Sequence, residues 1–176
     1  EYSFILDNFL KPERVTQQFI CDNEEVQPLV EDIFEKVTGK MFPEDVQIKI
    51  CSLAEFRKFT SNPGAVGLAV NRKEQRLISD IFILNDELDK VLLTIGHELG
   101  HVLSKQLDSV NEEAKAFAFS FAWMKVIKDY NIGGMGRNIL MDLPAHNGLH
   151  DKAFDMVWKQ IKEGKDALEV YWELVR

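Results

Sequence analysis

The pentapeptide HELGH at residues 97–101 constrains the fold of this chain more than any other feature. It follows an apolar run, VLLTIG (91–96), so the sequence predicts that both lie on one buried helix. Positions four apart on a helix lie one turn apart on the same face, which brings the rings of His97 and His101 together. Two imidazoles at that spacing can hold one zinc ion at about 2.0–2.1 Å each. The motif therefore predicts a helix that carries two metal ligands.

Glu98 follows the first histidine and is rotated around the helix, beside the metal position rather than on it. A carboxylate at that place can accept a proton from zinc-bound water, whose pKa zinc lowers toward roughly 7. It can then pass the proton to a leaving amine, serving first as base and then as acid. The pattern predicts a zinc-dependent hydrolase, most simply a peptidase acting on a peptide or protein substrate, with Glu98 as the general base.

The composition is that of one globular domain. The 176 residues are 45% hydrophobic, which is enough to bury a core, and no repeat or linker divides them, so we expect a single domain over residues 1–176. The formal net charge of −8 repels phosphate backbones, and the Lys and Arg residues are scattered, so nucleic acid is not an expected partner. The sequence does not indicate an oligomeric state.

Cys21 and Cys51 are far apart and lie in unrelated patterns. Because a secreted disulfide scaffold normally carries more cysteines, a reduced, cytoplasmic setting is the default expectation, with one disulfide between these two left open. No stretch approaches the roughly 20 continuous apolar residues of a membrane span, so we expect no membrane partner.

Apolar spacing and turn-forming residues predict a helix, then strands, then helices, an order that favours the α+β class over alternating α/β. AVGLAV (65–70) and LISDIFIL (77–84) are β-like, and the polar NRKEQ between them indicates a hairpin. We expect a small, mostly antiparallel sheet packed on the motif helix. The predicted elements are helix 24–38, strand 46–50, a short helix to about Phe59 with a capping box at Ser52 and Glu55, the hairpin, a motif helix from Asn85 or Asp86 to about Leu107, and helices 112–130, 150–162 and 166–175.

The stretch IFILNDELDKVLLTIGHELGHVL (81–103) resembles the ImmA/IrrE family of small zinc metallopeptidases, and the Ala/Phe-rich helix that follows it is also similar to one in that family. The resemblance covers roughly residues 65–130. It implies a zincin-like minimal metallopeptidase fold, zinc dependence and proteolysis, often in the regulation of a transcription factor. In zincin-like folds an edge strand beside the motif helix binds the substrate backbone by strand addition, and residues 77–84 are the candidate for that strand here.

The third metal ligand is where the sequence departs from the family, whose pattern places a Glu three residues before a small residue on the second helix. Aligning Ala114 with the small residue puts Asn111, a poor zinc ligand, at that position, whereas aligning Ala116 puts Glu113 there. Glu112 follows an Asn, as ligands in larger gluzincins do, but it would then face Lys115, three residues later. Of these residues we favour Glu113. The other interpretation of both glutamates is that they only favour the dipole of the helix from its first turn.

A second candidate lies further along the chain. The run from His150 to Phe154 resembles the His-x-x-x-Phe signature of SprT-like minimal zinc peptidases, in which the His is the third ligand and the Phe packs underneath it. We therefore rank His150 first and Glu113 second as the third ligand. His146 is a candidate donor to the oxyanion of a tetrahedral intermediate, or a histidine of a surface loop.

The number of ligands decides between functions. A catalytic zinc keeps a fourth position open for water, so a site closed by four protein ligands would be structural. Two alternatives to a peptidase stay open at this point: a zinc-binding regulatory or interaction domain with little turnover, and a zinc hydrolase of another substrate class. Glu98 favours catalysis, because a structural site has no use for a carboxylate at that place.

Overall fold

The computed structural model describes residues 9–141 and 149–176, the first three residues of the second range by their backbone alone. Within these ranges the chain forms a helix, then mainly strands, then helices, which confirms the α+β class. The helices are α1 (Asn23–Thr38), α2 (Leu53–Phe56), α3 (Leu88–Val102), α4 (Ser109–Asp129), α5 (Leu149–Lys162) and α6 (Ala167–Leu174). The strands are β1 (Val46–Cys51), β2 (Gly67–Val70) and β3 (Ser79–Leu84).

Helix α1 begins and ends where its sequence predicts. The side chain of Asp22 accepts a hydrogen bond from the backbone N–H of Glu25, and this satisfies one of the donors left free in a first turn. Gly39 follows the last turn with a φ of 69°, a left-handed conformation that glycine adopts without a steric cost. The apolar stripe of α1 is buried and packs against α4.

The three strands form one mixed sheet in the order β1-β3-β2. Strands β2 and β3 pair antiparallel, with Gly67 opposite Ile83, which confirms the hairpin. Strand β1 pairs with the other edge of β3 in parallel, with Val46 opposite Ser79, so the expectation of a mostly antiparallel sheet was wrong. Parallel neighbours need a crossover connection, and the segment between β1 and β3, which contains α2 and β2, supplies it.

Strand β3 is the central strand of this sheet, not an edge. Its two edges are both paired, so residues 77–84 have no free row of N–H and C=O groups to offer a substrate, and the expectation that they bind one by strand addition was wrong. The strand that lies against α3 with its outer edge unpaired in the described ranges is β2.

Helices α3 and α4 pack at very short range. A Cβ atom added to Gly100 would lie 2.6 Å from the Cα atom of Ala116, so only glycine allows this approach of the two backbones. One turn earlier, a Cβ atom on Gly96 would overlap the ring of Trp123, whose Nε1 donates to the carbonyl of Leu92 at 2.9 Å. Helix α4 is buried along most of its length, as its apolar faces predicted.

Helix α3 is shorter at both ends than the predicted motif helix. At its start the N–H of Leu88 donates to the carbonyl of Gln18, so a backbone group takes the place of the cap expected from Asn85 or Asp86. At its end the side-chain amide of Asn71 donates to the carbonyls of His101 and Ser104, at 2.7 Å each. Because these side-chain bonds satisfy carbonyls that a longer helix would pair, α3 can end at Val102.

The C-terminal helices complete an aromatic core. Phe154 of α5 is fully buried and contacts Phe117 and Phe121 of α4, with ring centroids 5.7 and 5.5 Å apart. Phe9 and Trp158 pack on the same group, so the Phe-rich stretch of α4 is core rather than a binding surface, as its composition predicted.

The segment from Phe9 to Ile20 crosses the start of α3 and is held by a buried ion pair. Nε of Arg14 donates to Asp89 at 2.6 Å, and Asp89 is fully buried in the first turn of α3. Asp89 also accepts from the side-chain amide of Asn138 at 3.2 Å and from the N–H of Lys90 at 2.8 Å. One carboxylate thus ties three stretches of chain together.

Arg14→Met is expected to lower the free energy of unfolding by about 2 kcal/mol, because the buried Asp89 keeps two donors but loses its charged partner. That change corresponds to a fall in Tm of about 4–8 °C in a chain of this size, measurable by thermal unfolding. The control is Lys125→Met, which breaks the exposed pair with Asp129 and should change stability by less than about 0.5 kcal/mol. Equal effects of the two changes would contradict the role given to Asp89.

Cys21 is exposed, Cys51 is buried, and both are free thiols, so the disulfide left open between them does not form. None of the described helices has the length and apolar character that crossing a bilayer requires.

Candidate metal centre

Three side chains from two helices converge on one point. His97 and His101 project from the same face of α3, and their Nε2 atoms are 3.3 Å apart. Glu113 reaches them from α4, with its Oε2 3.6 Å from Nε2 of His97 and its Oε1 3.8 Å from Nε2 of His101. One ligand atom from each residue lies within 4.8 Å of the other two, so the group could hold a metal ion.

These separations suit a single tetrahedral ion. Ligand atoms about 2.0–2.1 Å from a tetrahedral zinc lie about 3.3–3.4 Å from one another. The two Nε2 atoms match this at 3.3 Å, and the contacts of Glu113, which are made through different oxygens, are longer at 3.6 and 3.8 Å. His97 and Glu113 are both less than one-tenth exposed, so water would only weakly screen their attraction for a bound cation. Three donors that meet in a buried place favour a cation between them.

The packing of α3 on α4 is what brings Glu113 to the histidines. Helix α4 begins earlier than predicted, with Asp108 rather than Asn111 as its cap, because the Asp108 carboxylate accepts from the N–H of Asn111 at 3.3 Å. Ala116 lies one turn after Glu113 and contacts Gly100, the residue before His101. The alignment that takes Ala116 as the small residue is therefore the one whose Glu lies beside the motif.

Glu112, which the sequence ranked below Glu113 as a candidate ligand, orients a histidine instead. Its Oε1 lies 2.9 Å from Nδ1 of His101, and since a carboxylate only accepts, we assign the hydrogen to Nδ1. In the neutral ring this leaves Nε2 with a lone pair directed at the cluster. Oε2 of Glu112 accepts from the N–H of Leu107 at 2.7 Å and from Lys115 at 2.9 Å.

The contacts of Glu112 keep it ionised. Burial favours its neutral form, but hydrogen bonds from His101, Leu107 and Lys115 outweigh burial and hold its pKa below the usual range. The prediction that Glu112 faces Lys115 is thus confirmed. The sequence signal for this contact was the i, i+3 spacing of the opposite charges of Glu112 and Lys115 on one helix.

Glu98 lies beside the cluster and is also buried. Burial and the nearby charge of Glu113 raise the pKa of Glu98 to about 7, against the opposing effect of His101. A carboxylate with a pKa near neutrality can take up and release a proton at little cost. Gly67 makes room for this side chain, because a Cβ atom there would lie 2.6 Å from Oε1 of Glu98.

An open cleft of about 250 Å³ leads to the cluster. Strand β2 forms one wall through Gly67, Leu68 and Ala69, while Asn71 and Gln106 also line the cleft. Residues of the cluster and Glu98 form its floor. A ligand that enters the cleft therefore meets β2, whose outer edge has no strand partner among the described residues, together with the convergent side chains.

The structure describes no side chain for two of the predicted site residues, His146 and His150. His146 lies outside the described residues, and His150 lies in the first turn of α5, where only the backbone is described. Phe154, the other residue of the His-x-x-x-Phe run, contacts Phe117, whose ring lies 5.3 Å from that of His97. His150 therefore stays a prediction, and Glu113 is the candidate that the described side chains bring to the motif.

Comparison of the chain with models of known protein families, with curated protein sequences and with solved structures gave no significant match.

Proposed function

We propose that this chain is a zinc-dependent peptidase with a zincin-like fold. The observation that carries the proposal is the convergence of His97, His101 and Glu113 on one point with Glu98 beside it. Two imidazoles and one carboxylate are a donor set that catalytic zinc sites use, with the fourth position left for water. The resemblance of residues 81–103 to ImmA/IrrE peptidases supports the same assignment.

Bound zinc would supply Lewis acidity, acidifying a water molecule and polarising a carbonyl oxygen. The chain itself supplies the proton transfers. Glu98, ionised for part of the time near neutral pH, accepts a proton from the attacking water and returns it to the leaving amine. Glu112 holds the ring of His101 with Nε2 toward the cluster. The imidazole therefore need not rotate when a metal ion binds.

Strand β2 supports a peptide as the substrate. An extended peptide can add to an unpaired strand edge through main-chain hydrogen bonds. Strand β2 lines the cleft, and its outer edge has no strand partner in the described part of the chain. Gly67 at the start of β2 lies against Glu98, so a peptide on this strand would pass beside the proposed base. Substrate binding by strand addition, first expected of residues 77–84, is thus assigned to β2 in this proposal.

The first test is the metal content of the purified chain, prepared without chelators. We expect one equivalent of zinc, lost on dialysis against a chelator and regained on adding zinc, as measured by elemental analysis. Metal content near zero after zinc is offered would contradict the proposal.

The third ligand is tested by comparing Glu113→Ala with His150→Ala. Removing a true ligand should weaken zinc binding by more than the roughly 10–100-fold typical of an outer partner, whereas the other change should have a smaller effect. Competition with a chromophoric chelator measures both. Large losses in both variants would indicate four protein ligands, a closed site, and a regulatory or structural zinc in place of a peptidase.

A further inference from the structure

Lys115 is fully buried in α4. Lysine is almost never fully buried unless its ammonium is paired, because removing an unpaired charge from water is costly. The residue lies two positions after Glu113, in a helix whose other buried side chains are mostly apolar. The proposed hydrolytic steps do not use it, so its burial needs another explanation.

The ammonium of Lys115 has three contacts, which match its three N–H donors. Nζ lies 2.9 Å from Oε2 of Glu112, 3.0 Å from the carbonyl of Lys105 and 3.2 Å from the carbonyl of His101. Burial lowers the pKa of Lys115, and the Glu112 carboxylate opposes that effect. The ammonium is therefore saturated by acceptors that all lie around the end of α3.

Two of these contacts concern the same histidine. Lys115 holds the backbone carbonyl of His101 directly, and it holds Glu112, whose other oxygen accepts from Nδ1 of that histidine. The backbone and ring of His101, the Glu112 carboxylate and the Lys115 ammonium thus form a closed ring of hydrogen bonds. If Lys115 were removed, the carbonyl of His101 would keep a donor, because Asn71 also donates to it. Glu112 would keep only His101 as a side-chain partner that can carry positive charge among the described residues.

We infer that Lys115 is a positioning residue of the metal centre, which fixes the Glu112 carboxylate so that His101 presents Nε2 to zinc. The inference rests on the proposed metal site and extends it to a residue that contacts no ligand atom. A positioning role differs from a purely structural one in a testable way, because loss of Lys115 should weaken zinc binding only when Glu112 is present.

The experiment measures zinc affinity and unfolding of the metal-free protein for Lys115→Met, Glu112→Met and the double variant. We expect each single change to weaken zinc binding about 10–100-fold, as outer partners of metal ligands do. In the double variant, zinc binding should be no weaker than in Glu112→Met alone, since Lys115 then has nothing to position. Stability should partly recover, because two buried charges are removed together.

Arg14→Met is the matched control, since it removes another cation paired with a buried carboxylate, at the opposite end of α3. It should lower stability while leaving zinc affinity within about twofold of the wild type. If zinc affinity follows stability through all four variants, or if Lys115→Met binds zinc within twofold of the wild type, the inference is overturned.

The ring of His101 gives a readout that needs no metal. Nitrogen-15 NMR of the metal-free chain distinguishes the two neutral tautomers, and we expect Nδ1–H in the wild type and a shift toward Nε2–H in Lys115→Met. If the wild type bound no zinc, the proposed function would fail, and this measurement would still test whether Lys115 sets the tautomer of His101 through Glu112. An unchanged tautomer in Lys115→Met would overturn that positioning role whether or not zinc binds.

Discussion

Glu98→Gln is expected to reduce peptide hydrolysis by at least about 10³-fold while one zinc stays bound. Glutamine has nearly the size of glutamate but cannot take up a proton, and loss of a general base typically costs about 10²–10⁴-fold. A 10³-fold loss corresponds to about 4 kcal/mol in the barrier. Zinc should remain because Glu98 is not one of the residues whose ligand atoms converge.

The substrate is best left open in this measurement. Wild type and variant are incubated with a library of peptides derived from a whole proteome, and new termini are identified by mass spectrometry. Cleavages made by the wild type and absent with Glu98→Gln then define the sequence preference. His97→Ala is the companion variant, since it should lose both zinc and cleavage. A Glu98→Gln protein that keeps zinc and cleaves at the wild-type rate would refute the peptidase proposal.

The sequence predicted those parts of the fold that depend on neighbours along the chain. The stripe and terminal glycine of α1, the capping box of Ser52 and Glu55, and the β2–β3 hairpin all lie near their expected positions. Each is determined by periodicity or by a hydrogen bond between residues close in sequence. The spacing of His97 and His101 belongs to the same class.

The partners of the strands depend on contacts between distant segments, and there the sequence was less informative. Nothing in residues 46–50 states whether β1 runs parallel to its neighbour. The central position of β3 did have a signal, since Ile81, Phe82 and Ile83 are consecutive and all buried, a pattern of strands covered on both faces. The alternation expected of an edge strand is absent from that run.

The segment before α1 had no periodic signal. It is held by single backbone bridges, such as Leu10 with Ile139, and by the pair of Arg14 with Asp89. Contacts of this kind join residues that are far apart in sequence. They can be recognised only after the fold brings the residues together.

The third ligand could not be chosen from sequence because the choice depends on how α4 is set against α3. Two alignments of α4 placed Asn111 or Glu113 toward the motif, and Glu112 was a further candidate. Contact of Gly100 with Ala116 selects one of them, and it gives Glu112 a different role, as the acceptor for Nδ1 of His101. Because this contact sets the distance between α3 and α4, a side chain added at Gly100 should disturb the metal site.

Gly100→Ala is expected to lower the free energy of unfolding by about 3 kcal/mol and zinc affinity by at least about 100-fold. Alanine favours a helix by about 1 kcal/mol over glycine, so any net loss must come from packing. The new methyl group would lie 2.6 Å from the backbone of Ala116, and backbone cannot turn aside as a side chain can. The helices must separate by about 1 Å, whereas metal sites tolerate about ±0.2 Å in ligand distances.

Gly96→Ala provides the comparison within the same helix. Its methyl group would overlap the ring of Trp123, a fully buried residue of α4 that lies ten positions after Glu113. We expect a similar loss of stability but a smaller loss of zinc affinity than in Gly100→Ala, because the clash lies far along α4 from Glu113, whereas Ala116 is only three positions from it. Competition with a chelator and thermal unfolding of the metal-free chains measure the two effects separately. If Gly100→Ala instead bound zinc as tightly as the wild type, α4 could not be the source of a ligand, and the third position would pass to His150.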